Sequence, residues 1–527
     1  MLNDGLRWID CACALVGACL AYNWLSEKRK RRARGGLPLP PGPRGLPFVG
    51  NIFDIDPGRP WETYTEWTKQ YGEIAYMKLF SQDVIVLNSE RVVRSLIDQR
   101  SAIYSDRPEV PTNKLFGADF NTAFLPYDDE WKLHRKLFHN TLHAETCISY
   151  QPLILQRVHI LLGDLLKNPG SASFEPHLRM FTASIILAVT YGYQAVAWSD
   201  DLVQCAAKLV KLLIDALPPH RAAVLGAFPI LTRLPTWFPG AGFLRDAVKG
   251  RELARHALED PFEYVKQQMA AGTASRSMVS DLLTEVDEKQ LTPEMERAMK
   301  AMASTVFLAG FDTSSSFMFT FILAMRMHPD VQRRAQAEMD AVLGGGRLPT
   351  FEDRPSLPYI EAIIREVLRW QIILPLSLPH ATSSDDVFEG YFIPKGAMVL
   401  PNVWAMVRCV PLPPNQPPAD VFEPARHLDP STGQLLPEQN AITGHPQFGF
   451  GRRVCPGRFL SEATMWAAIA SILAVFDVCP ALDGEGREVP VSGEYSTGIS
   501  IRPLPFECEI RPRSKKAEQI ILEALDV

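Results

Sequence analysis

The chain has 527 residues, a formal net charge of −6, and 46% hydrophobic and 22% charged residues. That balance can bury a large core and excludes disorder for most of the chain. The acidic total argues against a general nucleic-acid binder, which carries a broad basic surface. The cysteines number nine, have no CxxC pair and are widely spaced. A structural zinc site and a disulfide framework are both disfavoured, and a reducing compartment fits better. The sequence contains no Asn-x-Ser/Thr acceptor, which suits a cytosol-facing body.

In chain order, the first predicted element is an apolar helix within residues 1–25, Leu6 to Leu25, long enough for a marginal membrane span. Lys28, Arg29, Lys30, Arg31, Arg32 and Arg34 follow at once and would hold the rest of the chain on the cytosolic side. No small-residue cleavage site precedes them, which disfavours a removed signal peptide. With the proline-rich run Pro38 to Pro43 they make residues 26–45 a basic stop and stiff hinge. Residues 46–527 then form the main body of the chain. Alternation from Glu73 to Leu87 predicts a hairpin turning at Ser81-Gln82-Asp83.

Most of the remainder has helical periodicity. The clearest helix is capped by Thr292, begins at Pro293 and ends near Met327, about 35 residues or on the order of 50 Å. It is apolar on nearly every face from Ala301 to Met325, which predicts burial through the centre of the domain. Helices from Pro329 to Leu343 and from Pro358 to Trp370 follow, separated by a glycine turn at 344–346. Another runs from Arg458 to about Phe476. The basic tail Arg511, Arg513, Lys515 and Lys516 reads as a solvated end.

The stretch from Phe448 to Gly457, Phe-Gly-Phe-Gly-Arg-Arg-Val-Cys-Pro-Gly, carries the strongest chemical signal. Its glycines allow tight turns and close approach to something flat. Cys455 sits just before a helix, where amide groups and the dipole favour a thiolate. This stretch resembles the FxxGxRxCxG haem-binding signature of the cytochrome P-450 family. The resemblance implies haem b with Cys455 as axial thiolate, and Phe448, Arg453 and Gly457 around it. A thiolate ligand favours O–O cleavage.

Other motifs extend the resemblance from about Pro38 to Phe506. Glu366 and Arg369 form ExxR, sharing a helix face. Arg426 lies in a PxRF-like element and would complete a structural triad that keeps the cysteine loop in register. His427 departs from the pattern, standing where an aromatic is usual. Ala309-Gly310-Phe311-Asp312-Thr313 resembles the oxygen-activating motif, implying that Asp312 and Thr313 supply protons. Trp131 and Arg135 match WxxxR and, with His380 and Arg453, would surround the haem carboxylates.

The implied fold is mainly α with a small β region: the cytochrome P-450 fold, its long central helix over haem, preceded by an N-terminal membrane-anchor helix. Carried over from the family, substrate would meet Phe116, Phe120 and Phe124, then Met302, Val306 and Phe307, then Ile373, Leu374, Leu376 and Ser377, and the turn at Thr497, Gly498, Ile499 and Ser500. Nearly all are apolar, which suits a hydrophobic substrate. The segment from Ala227 to Gly240 is expected to dip into the membrane as a lipid-side entrance. The implied activity is monooxygenation of a lipophilic small molecule, a terpenoid or polycyclic aromatic of secondary metabolism, as in fungal membrane-bound members. It would use O2 and electrons from NADPH through a separate NADPH-cytochrome P-450 reductase, with cytochrome b5 as an optional second donor. Lys132, Arg135, Lys136, Arg452 and Arg458 are the expected docking face. The expected location is the endoplasmic reticulum membrane, with one N-terminal anchor and the body facing the cytosol. The rivals are a haem-thiolate isomerase or dehydratase needing no reductase, which intact Asp312-Thr313 argues against, and a non-catalytic haem-binding protein.

Overall fold

The computed structural model describes residues 32, 34–168, 174–216, 224–286, 291–409, 417–437 and 441–526. The expected membrane anchor, residues 1–25, lies outside them. The proline-rich segment is docked on the body: the Pro41 carbonyl accepts from the Tyr76 amide and the Pro38 carbonyl from the Phe392 amide, both at 2.8 Å. Helix α1, Pro60–Tyr71, precedes the hairpin of β1, Ile74–Leu79, and β2, Gln82–Leu87. Leu79 pairs with Gln82, so the turn is Phe80-Ser81, with Phe80 at φ 52°. That is one residue earlier than the polar run Ser81-Gln82-Asp83 suggested. Gln82 and Asp83 continue the ladder, opposite Leu79 and Lys78.

Helices build most of the rest. They are α2, Asp129–Leu142; α3, Gln151–Lys167; α4, Phe174–Tyr191; α5, Asp201–Ala216; α6, Gly242–Ala270; and α7, Pro293–Met327. The long helix α7 has the bounds its sequence predicts. The Thr292 hydroxyl accepts from the Met295 amide at 3.1 Å, and Pro293 fills the first turn, where no amide donor is needed. α7 and α4 pack along one another in the principal core. A side chain at Gly310 would come within 2.7 Å of Ile186 on α4, so this glycine permits the close helix approach.

Helices α8, Pro329–Leu343, and α9, Pro358–Trp370, follow. Gly344 closes α8 in the left-handed region at φ 64°. Every residue of α9 after Pro358 is buried, including Glu361, Arg365, Glu366 and Arg369. Strands β3, His380–Ala381; β4, Asp386–Phe388; β5, Tyr391–Ile393; and β6, Met398–Pro401, come next. The main sheet runs β1-β2-β6-β3, with β2 and β6 parallel, and it fixes His380 through β3.

Helix α10, Arg458–Val475, leads into β7, Phe476–Pro480, which pairs with β8, Cys508–Pro512. By length and hydropathy α7 and α10 could each cross a membrane, but both are mostly buried in the body and form its centre. The tail is a packed helix, α11, Lys515–Leu525, and not a solvated end. Ala517 and Ile521 are buried, Ser514 caps the helix, and Arg513 pairs with Asp340 at 2.6 Å. The alternation of apolar and charged residues along 515–525 gives it a buried stripe, which the basic cluster concealed.

Candidate active site

The cysteine loop is built from two short turns, Pro446–Phe448 and Gly451–Arg453, joined by residues that need positive φ. Gly449 has φ 78° and Gly451 φ 58°. A side chain at Gly451 would approach the Ile97 carbonyl oxygen to 2.4 Å, so glycine is required by both backbone and space. The Gly451 amide donates to Asp98 at 2.6 Å, and the Cys455 amide to the Phe448 carbonyl at 2.7 Å. Three residues later α10 begins. Burial pushes the Cys455 thiol up; the Gly457 amide, the Arg135 and Arg458 charges and the Arg458 amide oppose it. Amides and cations converging on sulfur are what an anionic metal ligand needs.

Cys455 faces a cavity bounded by α2, α4, α7, α9 and α10. Trp131, Arg135, His380, Phe448, Arg453 and Gly457 line this same cavity. Arg453 lies over the Trp131 ring at 4.3 Å and donates to the carbonyls of Ser105 and Leu125 at 2.8 Å. Burial pushes its guanidinium down to about 10. The motifs did not point to Arg107, which joins it on the wall and donates to the carbonyls of Ala123, Leu378 and Pro379. Burial, then the Arg453 charge, hold Arg107 well below its ordinary value. Its signal in the sequence was slight, an arginine before Pro108 in a loop. The Nδ1 of His380 meets the Tyr104 carbonyl at 2.7 Å and must carry a proton there. Its Nε2 therefore donates to a carboxylate only when the ring is protonated. Burial and the two arginines keep the ring neutral, and added carboxylates would work the other way.

None of Arg107, Arg135 and Arg453 forms a salt bridge among the described residues. Three guanidinium groups on one cavity, none in a salt bridge among the described residues, suit an anionic occupant. The half-buried Cys455 thiol on the same wall can ligate a soft metal. The two carboxylates and the iron of haem meet both demands, so the residues present fit that group.

The α7 wall contributes Thr305, Val306, Ala309, Gly310, Thr313, Ser314 and Phe317. The Thr313 hydroxyl donates to the Ala309 carbonyl at 2.9 Å, the back-bond expected of a threonine inside a helix. Asp312 is buried and off this wall; its carboxylate accepts from the Ser500 hydroxyl at 3.1 Å. Thr313 lines the cavity and Asp312 does not, because adjacent helical residues diverge by about 100°.

Glu366 anchors the loop from behind. Arg369 donates to both its oxygens at 2.7 and 2.8 Å, Arg426 at 3.1 Å, the Glu423 amide at 2.7 Å and His427 at 3.0 Å. His427, the residue that departs from the family pattern, is thus a further arm of the network. Gln447 ties the cysteine loop to α9 by donating to the Leu368 carbonyl and accepting from the Ile373 amide.

Of the substrate set, Val306, Ile373, Leu374 and Ser377 line the cavity. Phe116, Phe120, Phe124, Met302, Phe307, Leu376 and Ile499 do not, nor do Thr497, Gly498 and Ser500. Phe116 packs against Gly250 and Ala247 of α6, and Phe307 sets its ring edge-on to Tyr191 at 6.3 Å. Phe120 and Met302 belong to the principal core, and Leu376 packs beside the sheet. Thr122, Ala123 and Ile186 take part in the wall instead. The expected basic face is also thinner, since Arg135 points into the cavity, while Lys132, Lys136 and Arg452 are exposed.

The sequence matches the family description Cytochrome P450 over residues 40–508. Cytochrome P450 monooxygenase 98 of Postia placenta is 38% identical over 93% of this chain and 94% of its own length. Cytochrome P450 monooxygenase COX2 of Coprinopsis cinerea is 36% identical over 92% of this chain and 91% of its own.

Proposed function

This chain belongs to the cytochrome P450 family, and from that premise we propose that it is a haem-thiolate monooxygenase acting on a lipophilic small molecule, a terpenoid or polycyclic aromatic of secondary metabolism. The observation that carries the reading is the convergence on one cavity of the Cys455 thiol, three arginines that form no salt bridge among the described residues, and the Thr313 hydroxyl. The overall change is RH + O2 + NADPH + H⁺ → ROH + H2O + NADP⁺. Haem, when bound through a cysteine thiolate as in the family, supplies the oxygen-activating redox chemistry.

The chain's own residues do the rest. Cys455 would hold the iron through its sulfur; burial pushes the thiol up, and the Gly457 and Arg458 amides with the Arg135 and Arg458 charges work the other way, toward the thiolate. Arg107, Arg135 and Arg453, with Trp131 and His380, would hold the group's carboxylates, and Phe448 would give it an apolar contact. Thr313 holds a hydroxyl proton at the cavity wall, and Asp312 behind it passes protons on. Val306, Ala309, Ile186, Ile373 and Leu374 exclude water and hold substrate by shape.

Electrons would come from NADPH through a separate reductase, docking near Lys132, Lys136 and Arg452, with cytochrome b5 as an optional second donor. Residues 1–25 would anchor the chain in the endoplasmic reticulum membrane. The segment from Ala227 to Gly240 would touch the bilayer as well: Trp237 is 77% and Ile230 65% exposed, which supports an apolar contact outside water.

The test is to purify the full chain with haem, add a cytochrome P450 reductase and NADPH, and screen terpenoids and polycyclic aromatics under ¹⁸O2. One labelled oxygen atom per turnover is expected. Product formed without NADPH, or without label, would replace the reading with an isomerase or dehydratase.

A further inference from the structure

Two buried carboxylates flank the cavity, and they are held very differently. Glu366 receives five hydrogen bonds from Arg369, Arg426, His427 and the Glu423 amide, and is locked. Asp312 is also buried, at 8% exposure against 0% for Glu366, yet among the described residues it receives one hydrogen bond, from Ser500, and forms no ion pair. Among the described residues Ser500 is therefore the one group in hydrogen-bond contact with the Asp312 carboxylate.

Ser500 is half-buried, does not line the cavity and comes from the C-terminal segment. It reaches Asp312 from behind the cavity wall. Its neighbour Ile501 donates to the Ile373 carbonyl at 2.9 Å, and the Ile373 amide is held by Gln447. The position of Ser500 is therefore fixed to the wall that faces substrate. Arg179 on α4, stacked over the Phe319 ring at 5.0 Å, and Arg502, two residues beyond Ser500, put cations close to this contact. They disfavour a free hydronium there and favour transfer through a neutral hydroxyl.

Resting on the reading of Asp312 and Thr313 above, we propose that Ser500 is a positioning residue that supplies protons to Asp312 from outside the cavity. The hydroxyl gives its proton to the carboxylate oxygen and takes one from water on its outer side. One proton moves inward, and no bond other than O–H is made or broken. Asp312 then serves the Thr313 side of α7. Proton supply thus enters past the C-terminal segment, by a route separate from the substrate space.

The test uses the haem-loaded full chain with a cytochrome P450 reductase, NADPH and O2, without organic substrate. Electrons then leave by two routes: O2 + 2e⁻ + 2H⁺ → H2O2, or O2 + 4e⁻ + 4H⁺ → 2H2O. The second needs more protons per O2. Ser500→Val and Ser500→Thr have nearly the same shape and differ in the hydroxyl. Ser500→Val is expected to slow water formation about fivefold, or about 1 kcal/mol at 1.36 kcal/mol per tenfold. It should also move NADPH consumed per O2 from two toward one and enlarge the solvent deuterium effect. Ser500→Thr should restore all three. Wild-type behaviour of Ser500→Val beside an impaired Asp312→Asn would overturn the proposal alone. Wild-type behaviour of Asp312→Asn would overturn the reading of Asp312, and this proposal with it.

Discussion

Replacing Glu366 by glutamine keeps the side chain's shape and removes its charge. In the native protein burial works to raise this carboxyl, but hydrogen bonds from Arg369 and His427, then their charges, outweigh it and hold the acid at about 2. An unfolded glutamic acid titrates near 4.5. The depressed value means that the folded state favours the carboxylate. This stabilisation is complete above about pH 4.5 and is lost as pH falls toward 2. A shift of that size corresponds to about 3 kcal/mol. A second route gives a similar figure, since removing one partner of a buried ion pair costs about 3–5 kcal/mol. Here the groups left behind are Arg369 and Arg426, both buried. The glutamine amide nitrogen would also turn a donor toward a donor. Guanidinium unfolding of the full chain at pH 7, followed by circular dichroism, should show Glu366→Gln less stable by about 3 kcal/mol with an unchanged denaturant slope. The contribution of this carboxyl should be flat from pH 7 to 5 and shrink below 4.5. A loss under about 1 kcal/mol at pH 7 would refute the claim that this carboxylate holds the network together, because that is the scale of an exposed pair.

Gly451→Ala should destabilise the chain by about 1–3 kcal/mol, since a methyl group meets the Ile97 carbonyl at 2.4 Å on a backbone with φ 58°. A melting curve and the fraction of haem retained after gel filtration check it, and an unchanged melting point would show that the loop can relax. Thr313→Ala should slow product formation by on the order of 10²-fold and send electrons to peroxide instead. Stopped-flow turnover with a peroxide assay measures both, and unchanged coupling of NADPH to product would remove Thr313 from proton delivery.

Helix α7 was legible because its ends are written locally, a threonine cap, a proline in the first turn and His328-Pro329 at the close. α9 was legible from Pro358 at its start, and the cysteine loop from its glycines and the signature around Cys455. The cavity wall was less so. Val306 and Phe307 are neighbours in a helix apolar on every face, so periodicity cannot say which turns to the cavity and which to Tyr191. Phe116 is the same apolar residue whether it meets a substrate or Gly250, and only the approach of α6 decides. Arg107 escaped notice because its partners are backbone carbonyls far along the chain, at Leu378 and Pro379. His427 looked like a weak match at an aromatic position, and its hydrogen bond to Glu366 becomes visible only once the turn at 424–427 folds onto α9.

The account stands on sulfur from one residue reaching iron. Cys455→Ala, purified with haem, reduced and exposed to carbon monoxide, tests this most directly. The wild type should give the long-wavelength absorbance band of a thiolate-ligated carbon monoxide complex, and the variant should lack it. Persistence of that band in Cys455→Ala would contradict the assignment, and so would its absence from the wild type.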